Sequence, residues 1–322
     1  LGLPTFATFD VLELYAFVRP ARFVLPTPRG LAEALNLALP GTLEREAESL
    51  LASSGALLAE LAERAHGLGD VQAAPTARAM ALSGWPWAQA VLAALGADFN
   101  TKTLTPAKAA EALKIWNHLP DWEEQPPDTT PANKPVDETE TRERLAEILG
   151  KASEKRDEQV NYSLSCRDAF QACDKSGEPK VVLAEAGTGV GKTLGYIAPA
   201  SLWAEKNDGT VWISTFTRNL QRQLDFELDR LFPEAQEKAK RVVIRKGREN
   251  YFCLLNYEET LNRNPTTLSG GWTALGLIAR WALHTRDGDM RGGDFPGWLK
   301  DLLGAGLTTN LTDTRGECIY SG

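Results

Sequence analysis

The sequence predicts an α/β fold in its second half, a parallel sheet covered by helices, preceded by a mostly α-helical N-terminal region. Three observations predict it. Between residues 180 and 245, short apolar runs alternate with amphipathic stretches of helical period, which is the pattern of βαβ units. The first run passes through a glycine-rich turn, residues 184–193, straight into a helical stretch. Residues 1–120, by contrast, carry leucine and alanine at helical spacing with charged residues between them.

The elements follow in order. EREAESLLASSGALLAELAERA and GWPWAQAVLAALG read as helices, and so does TPAKAAEALKIWNHL. In the last, Thr105 is an N-cap and Pro106 takes the first helical position, where its missing N–H costs nothing. Residues 121–140, DWEEQPPDTTPANKPVDETE, hold four prolines and many acids; such a run builds no core and reads as a linker. From 141 to 170 the chain reads as one or two helices. KVVLAEA (180–186), TVWIST (210–215) and RVVIR (241–245) are the expected strands, with helices through LGYIAPASLWAEK and RNLQRQLDFELDRLF between them. After Cys253 the pattern is helical again, in GLIARWALHT and GDFPGWLKDLL. The expected division is therefore 1–120, a linker at 121–140, a nucleotide-binding portion at 141–252, and a further portion from 253 to 322.

The chain has 322 residues and 43% hydrophobic content, enough for about two domains with cores. No apolar run reaches the roughly 20 residues of a membrane helix, and the start carries no signal-peptide pattern. It opens without methionine and reads as an internal piece of a longer protein. The net charge is −8, and residues 1–150 hold 12 Lys+Arg against 20 Asp+Glu while the remainder balances. Overall charge is therefore neutral on the question of nucleic acid, and local patches decide it. One patch stands out: KAKRVVIRKGR, residues 238–248, has six basic residues and no acid. Four cysteines with no CxxC pair make no disulfide scaffold and point to a reducing, cytoplasmic setting. His66, His118 and His284 have no metal-binding spacing.

The most specific motif is AEAGTGVGKT, residues 184–193. It fits the phosphate-binding P-loop pattern, with Ala186 where the stricter form has glycine. Gly187, Gly189 and Gly191 let the backbone curl so that its N–H groups, with Thr188 and Val190 between, point inward at phosphate oxygens. The following helix adds the positive end of its dipole. Lys192 is expected to reach the β/γ-phosphates of ATP and Thr193 to ligate Mg²⁺.

AEAGTGVGKTLGYIAPA, STFTRNLQRQL (214–224), RKGRENYFC (245–253) and RGEC (315–318) together resemble the DinG branch of the XPD-like superfamily 2 DNA helicases, over about residues 141–322. The resemblance implies a RecA-like motor domain interrupted by a helical iron–sulfur domain. It also implies ATP-driven 5′ to 3′ translocation on single-stranded or forked DNA. Arg156 and Gln159 in RDEQ match an R-x-x-Q element that the family places near the adenine. Thr215, Thr217, Asn219 and Gln221 match a motif that touches the DNA backbone. Cys253 and Cys318 match two of the four cysteine ligands of a four-iron cluster; Cys166 and Cys173 match none and read as packing residues. In RKGRENYFC, Arg245, Lys246 and Arg248 suit phosphates, and Tyr251 or Phe252 suits stacking on a base.

Such a motor also needs an Asp-Glu pair after the P-loop to hold Mg²⁺ and position water. Here the pair occurs only at Asp137–Glu138 and Asp157–Glu158, both before the loop. The chain is therefore expected to bind ATP and to hydrolyse it poorly. The N-terminal half loosely resembles the middle of a DEDD-type exonuclease, with Asp10 as its one candidate carboxylate, and reads as a non-catalytic remnant. Two other readings stand beside the helicase. One is a P-loop kinase or small-molecule ATPase; the other is an ATP- and cluster-bearing DNA-binding protein that does not unwind. Oligomeric state is not legible.

Overall fold

A computed structural model describes residues 8–65, 70–100, 104–119, 130–150, 157–172, 179–263 and 271–316. The helices run in chain order: α1 (Val11–Val18), α2 (Pro28–Ala34), α3 (Leu43–Ala65), α4 (Ala73–Ala81), α5 (Ala88–Ala94), α6 (Pro106–Ala112) and α7 (Glu138–Leu149). There follow α8 (Asp157–Arg167), α9 (Lys192–Asn207), α10 (Arg218–Leu231), α11 (Ala235–Arg241), α12 (Leu254–Asn262), α13 (Gly271–Ala282), α14 (Gly297–Leu303) and α15 (Ala305–Asn310).

The expected parallel sheet is not there. Residues 180–186 and 210–215 run without a ladder, as do 242–245, and Arg241 ends α11. Among the described residues, β-pairing is limited to two isolated antiparallel bridges, Tyr251 with Asp289 and Phe252 with Thr312. The α/β class with a RecA-like sheet is therefore corrected to helices joined by extended segments. The physical reason lies in what an apolar run reports. It marks residues able to be buried, whereas a parallel strand exists only if neighbours pair its backbone and helices cover both faces. Here Leu183 is 96% exposed and Trp212 is 79% exposed, so these runs have neither a paired strand beside them nor helices covering both faces.

The chain forms two compact units, Leu1–Trp122 with Lys246–Gly322, and Glu123–Arg245. In the first, one core joins α1–α6 to α12–α15. Its centre is α13, every residue of which is buried, the property of a helix apolar nearly all round. α13 packs on α4 and α1. Gly276 permits the approach to α4, because a Cβ there would stand 2.3 Å from Met80 Cγ. The Tyr257 hydroxyl on α12 donates to the carbonyls of Leu113 (3.2 Å) and Leu275 (3.4 Å). At the N-terminal end, Asp10 caps α1 by accepting from Leu12 N–H at 2.8 Å. Trp85 Nε1 donates to Glu13, and Trp87 Nε1 donates to the Asp10 carbonyl. The GWPW segment thus clamps the start of α1.

The second unit has a smaller core of Leu145, Ile148, Leu194, Ile197, Ala198 and Leu224. α7 and α8 both pack along α9. α7 begins with a capping box between Asp137 and Glu140, which satisfies two otherwise orphaned N–H groups. Just before it, Asn207 at the end of α9 holds Lys134 through both backbone groups, and Val136 is fully buried. The proline-rich acidic segment is therefore anchored over its second half.

Candidate nucleotide site

The glycine-rich turn meets α9 at Gly191, its N-cap, at φ +84°. Gly189 also adopts a positive φ, +83°. Both lie in the left-handed region, where a Cβ would be strained; this is what the G-x-G spacing supplies. Thr188 is exposed, and the half-buried Val190 points a methyl toward Gly187. Lys192 opens α9 and folds back over the turn, its Nζ donating to the carbonyls of Ala186 (3.0 Å) and Gly187 (2.9 Å). The result is a closed loop of backbone with an ammonium across it, at the N-terminal end of a 16-residue helix. An anion set there would meet the orphan N–H groups, the helix dipole and the lysine together. A triphosphate fits this donor set, and Thr193, half-buried on the first turn, offers a hydroxyl to a Mg²⁺ accompanying it.

α8 backs the loop. Gln159, 4% exposed, donates from Nε2 to the Gly191 carbonyl at 2.9 Å. One turn on, Tyr162 packs against Gly195. Burial, and then the neighbouring Cys166, push the Tyr162 hydroxyl up to about 12. Burial likewise raises the Cys166 thiol, against the hydrogen bond from Tyr162, so at neutral pH it is a protonated packing group rather than a thiolate. Burial raises Tyr196 too, opposed by a hydrogen bond with Thr193. Sequence reasoning missed Tyr162 and Tyr196. The available signal was spacing, since Tyr162 lies three residues after Gln159 and so shares its helix face. Arg156 lies outside the described residues.

The residues matched to DNA contact fall in both units. In the second, Thr217 caps α10 by accepting from Leu220 N–H at 3.2 Å, and Thr215 Oγ1 donates to the Thr217 carbonyl at 3.5 Å. Asn219 is exposed on the first turn. Gln221 Nε2 donates to the Arg245 carbonyl at 2.9 Å, which ties the extended 242–245 segment to α10. The basic run is partly neutralised by acids that precede it in the chain. Lys238 pairs with Asp225 and Asp229, and Lys240 with Glu237. In the first unit, Lys246 forms an ion pair with the buried Asp289, and its N–H donates to the Tyr251 hydroxyl. Phe252 packs against Tyr257 and Trp281 in the core. Arg245 and Arg248 are exposed.

Cys253 is 2% exposed and caps α12, its Sγ accepting from Asn256 N–H at 3.5 Å. Backbone bonds knit residues 250–253 to 288–290 and 311–313: Phe252 N–H to the Gly288 carbonyl, Cys253 N–H to Leu311, and Asp313 N–H to Tyr251. Cys318 lies outside the described residues. Among the described residues no group of three potential metal ligands is present, and Cys253 is the one thiol they offer in this unit. A four-iron cluster needs four thiolates, so these residues do not by themselves fit one.

No helix among the described residues is long and apolar enough to cross a membrane. No protein-family model matches the chain, and no solved structure matches it significantly. It is 34% identical over 141 residues to the 3′-5′ exonuclease DinG of Bacillus subtilis, covering 42% of this chain and 14% of that protein. It is 32% identical over 165 residues to the ATP-dependent DNA helicase YoaA of Haemophilus influenzae, covering 51% and 23%. It is 43% identical over 84 residues to the ATP-dependent helicase DinG of Mycobacterium tuberculosis, covering 25% and 12%. The matched stretches thus span less than a quarter of the length of these relatives. Over part of its length, then, the chain is similar to the DinG and YoaA group of ATP-dependent DNA helicases.

Proposed function

We propose that this chain carries the nucleotide-binding element of an ATP-dependent DNA helicase and works in the cytoplasm on single-stranded or forked DNA, moving 5′ to 3′. One observation supports it above the rest: the left-handed glycine turn closed by Lys192 at the head of α9, in a chain similar to ATP-dependent helicases. On this reading Ala186 to Gly191 cradle the triphosphate, Lys192 neutralises its β/γ oxygens, and Thr193 holds Mg²⁺. Bound Mg²⁺ would spread the charge that builds on the γ-phosphate as it leaves. Arg156 and Gln159 form the R-x-x-Q element that the resemblance assigns to the nucleotide, near the adenine. Thr215, Thr217, Asn219, Gln221 and Arg245 in the second unit, and Lys246, Arg248 and Tyr251 in the first, are the proposed DNA contacts; exposure favours Arg245 and Arg248, and Lys246, held by Asp289, is expected to contribute least.

Cys253 and Cys318 are proposed as two ligands of an iron–sulfur cluster. Support comes from the resemblance and from one placement, the pairing of Phe252 with Thr312, which sets the chain leading to Cys318 beside Cys253.

The test is equilibrium binding of MgATP to the 322-residue chain and to Lys192→Ala. Binding is expected in the first and lost in the second, with little DNA-stimulated hydrolysis in either, because no Asp-Glu pair follows the loop. Equal binding by both proteins would sink the reading. Robust hydrolysis that Lys192→Ala abolishes would keep the site and overturn the expectation of weak chemistry.

A further inference from the structure

We propose that Gln159 is a positioning residue of the nucleotide site: by holding the Gly191 carbonyl it aims the backbone N–H of Lys192 into the loop. The inference rests on the nucleotide reading of that loop. It differs from the role the family resemblance implies, in which this element sits at the adenine.

Three observations carry it. First, the Gly191 carbonyl accepts twice, from Gly195 N–H at 3.2 Å and from Gln159 Nε2 at 2.9 Å. One bond belongs to the helix, and the other comes from α8. Second, Gly191 sits at φ +84°, where a glycine has the widest conformational freedom. No Cβ restrains the Gly191–Lys192 peptide plane, so hydrogen bonds set it, and Gln159 adds a second to the one the helix supplies. Third, the contact is tight and its donor side chain is buried. Gln159 is 4% exposed, and a Cβ on Gly191 would meet its Nε2 at 2.3 Å.

The consequence follows from peptide geometry. In a planar trans peptide the C=O of one residue and the N–H of the next point in opposite directions. Anchoring the Gly191 oxygen toward α8 therefore turns the Lys192 N–H away from α8. That N–H is among the first four of α9, which have no partner inside the helix and are the donors an anion would meet. Tyr162 against Gly195 gives α8 a second hold one turn further along α9, so the clamp has a fixed base. Gln159 would act on the phosphates through Gly191, whatever base the nucleotide carries.

That independence of the base is the test. The full chain, Gln159→Met and Gln159→Glu are titrated with MgATP, MgGTP and magnesium tripolyphosphate, with Lys192→Ala as reference. Methionine keeps the volume without the donor; glutamate keeps the shape, and its carboxylate accepts only. Both variants are expected to lose about two- to tenfold in affinity, the worth of one hydrogen bond. The loss should be the same for all three ligands and should leave the unfolding midpoint of Gln159→Met near that of the parent. A loss confined to ATP would overturn the proposal and make Gln159 a base reader. Unchanged affinity in either variant would also overturn it. Failure of the nucleotide reading looks different: the parent chain and Lys192→Ala would then bind all three ligands equally or not at all.

Discussion

The ring of Tyr162 lies so close to Gly195 that a Cβ on the glycine would stand 2.7 Å from its Cδ1. Two effects of opposite sign meet at this position. A glycine inside a helix costs roughly 1 kcal/mol against alanine, so alanine would stabilise α9 if space allowed. Here the added methyl would push against the half-buried ring, and overpacking costs about 1–3 kcal/mol. Gly195→Ala should therefore lower the unfolding midpoint of the second unit and weaken nucleotide binding along with it, because α8 also carries Gln159. Gly306→Ala on α15, where a Cβ meets nothing within 4 Å, is the control and should be neutral or mildly stabilising. If both substitutions behave alike, the packing argument is wrong.

The helices and the glycine-rich turn were legible in the sequence because both are local. Periodicity over one stretch places α3, α9 and α10, and Thr105-Pro106 starts α6, with Thr105 accepting from Lys108 N–H at 3.3 Å. The G-x-G spacing foretells the left-handed turn. The sheet was misread because pairing is not local: TVWIST has strand composition, yet a strand also needs partners. The union of α1–α6 with α12–α15 was invisible for the same reason. It depends on contacts such as Tyr257 to Leu113, 144 residues apart. That Lys246 pairs with Asp289 was not legible either, because the acid lies 43 residues downstream.

Arg280 shows how the first unit handles a buried charge. It is 1% exposed on α13, donates from Nε to the Phe17 carbonyl at 3.0 Å, lies over the Phe17 ring and pairs with Asp70. Removing one partner of a buried pair leaves the other uncompensated, at about 3–5 kcal/mol. Asp70→Asn should approach the lower end of that cost, since Asp70 keeps some solvent contact. The double variant Asp70→Asn with Arg280→Met should recover part of it. Denaturant unfolding of the four proteins closes the cycle. Strictly additive losses would mean that the two residues do not act as a pair.

The same corner should make the first unit sensitive to mild acid. Burial, and then Arg280, hold the His284 imidazole below its ordinary 6.5, although Asp70 stands 3.7 Å from Nε2. Arg64 adds a further positive charge. With its pKa depressed in the folded state, His284 is neutral there while the unfolded chain takes up a proton. Stability is therefore fully present above pH 6.5 and declines as pH falls below it. The Nδ1 atom lies 2.9 Å from the Arg280 carbonyl, a bond that an asparagine amide can imitate. The unfolding midpoint should drop between pH 7.5 and pH 6 in the parent chain and drop less in His284→Asn. An equal drop in both would assign the acid sensitivity elsewhere.

Lys246 and Arg248 are two residues apart in the basic run and should respond to mutation in opposite ways. Lys246 is the partner of Asp289, whose side chain is 4% exposed. Deleting the ammonium leaves a buried carboxylate to be desolvated or protonated, so Lys246→Met should cost stability of a few kcal/mol. Arg248 is exposed, and its substitution should leave stability within about 0.5 kcal/mol. DNA affinity discriminates in the reverse sense. Each phosphate contact contributes close to one unit to the slope of log affinity against log salt. Arg248→Ala should therefore flatten that slope for single-stranded DNA by about 1, while Lys246→Met, measured well below its unfolding midpoint, should leave it unchanged. A flattened slope in Lys246→Met with stability intact would mean that the lysine leaves Asp289 for the DNA, and that the ion pair is only its resting partner.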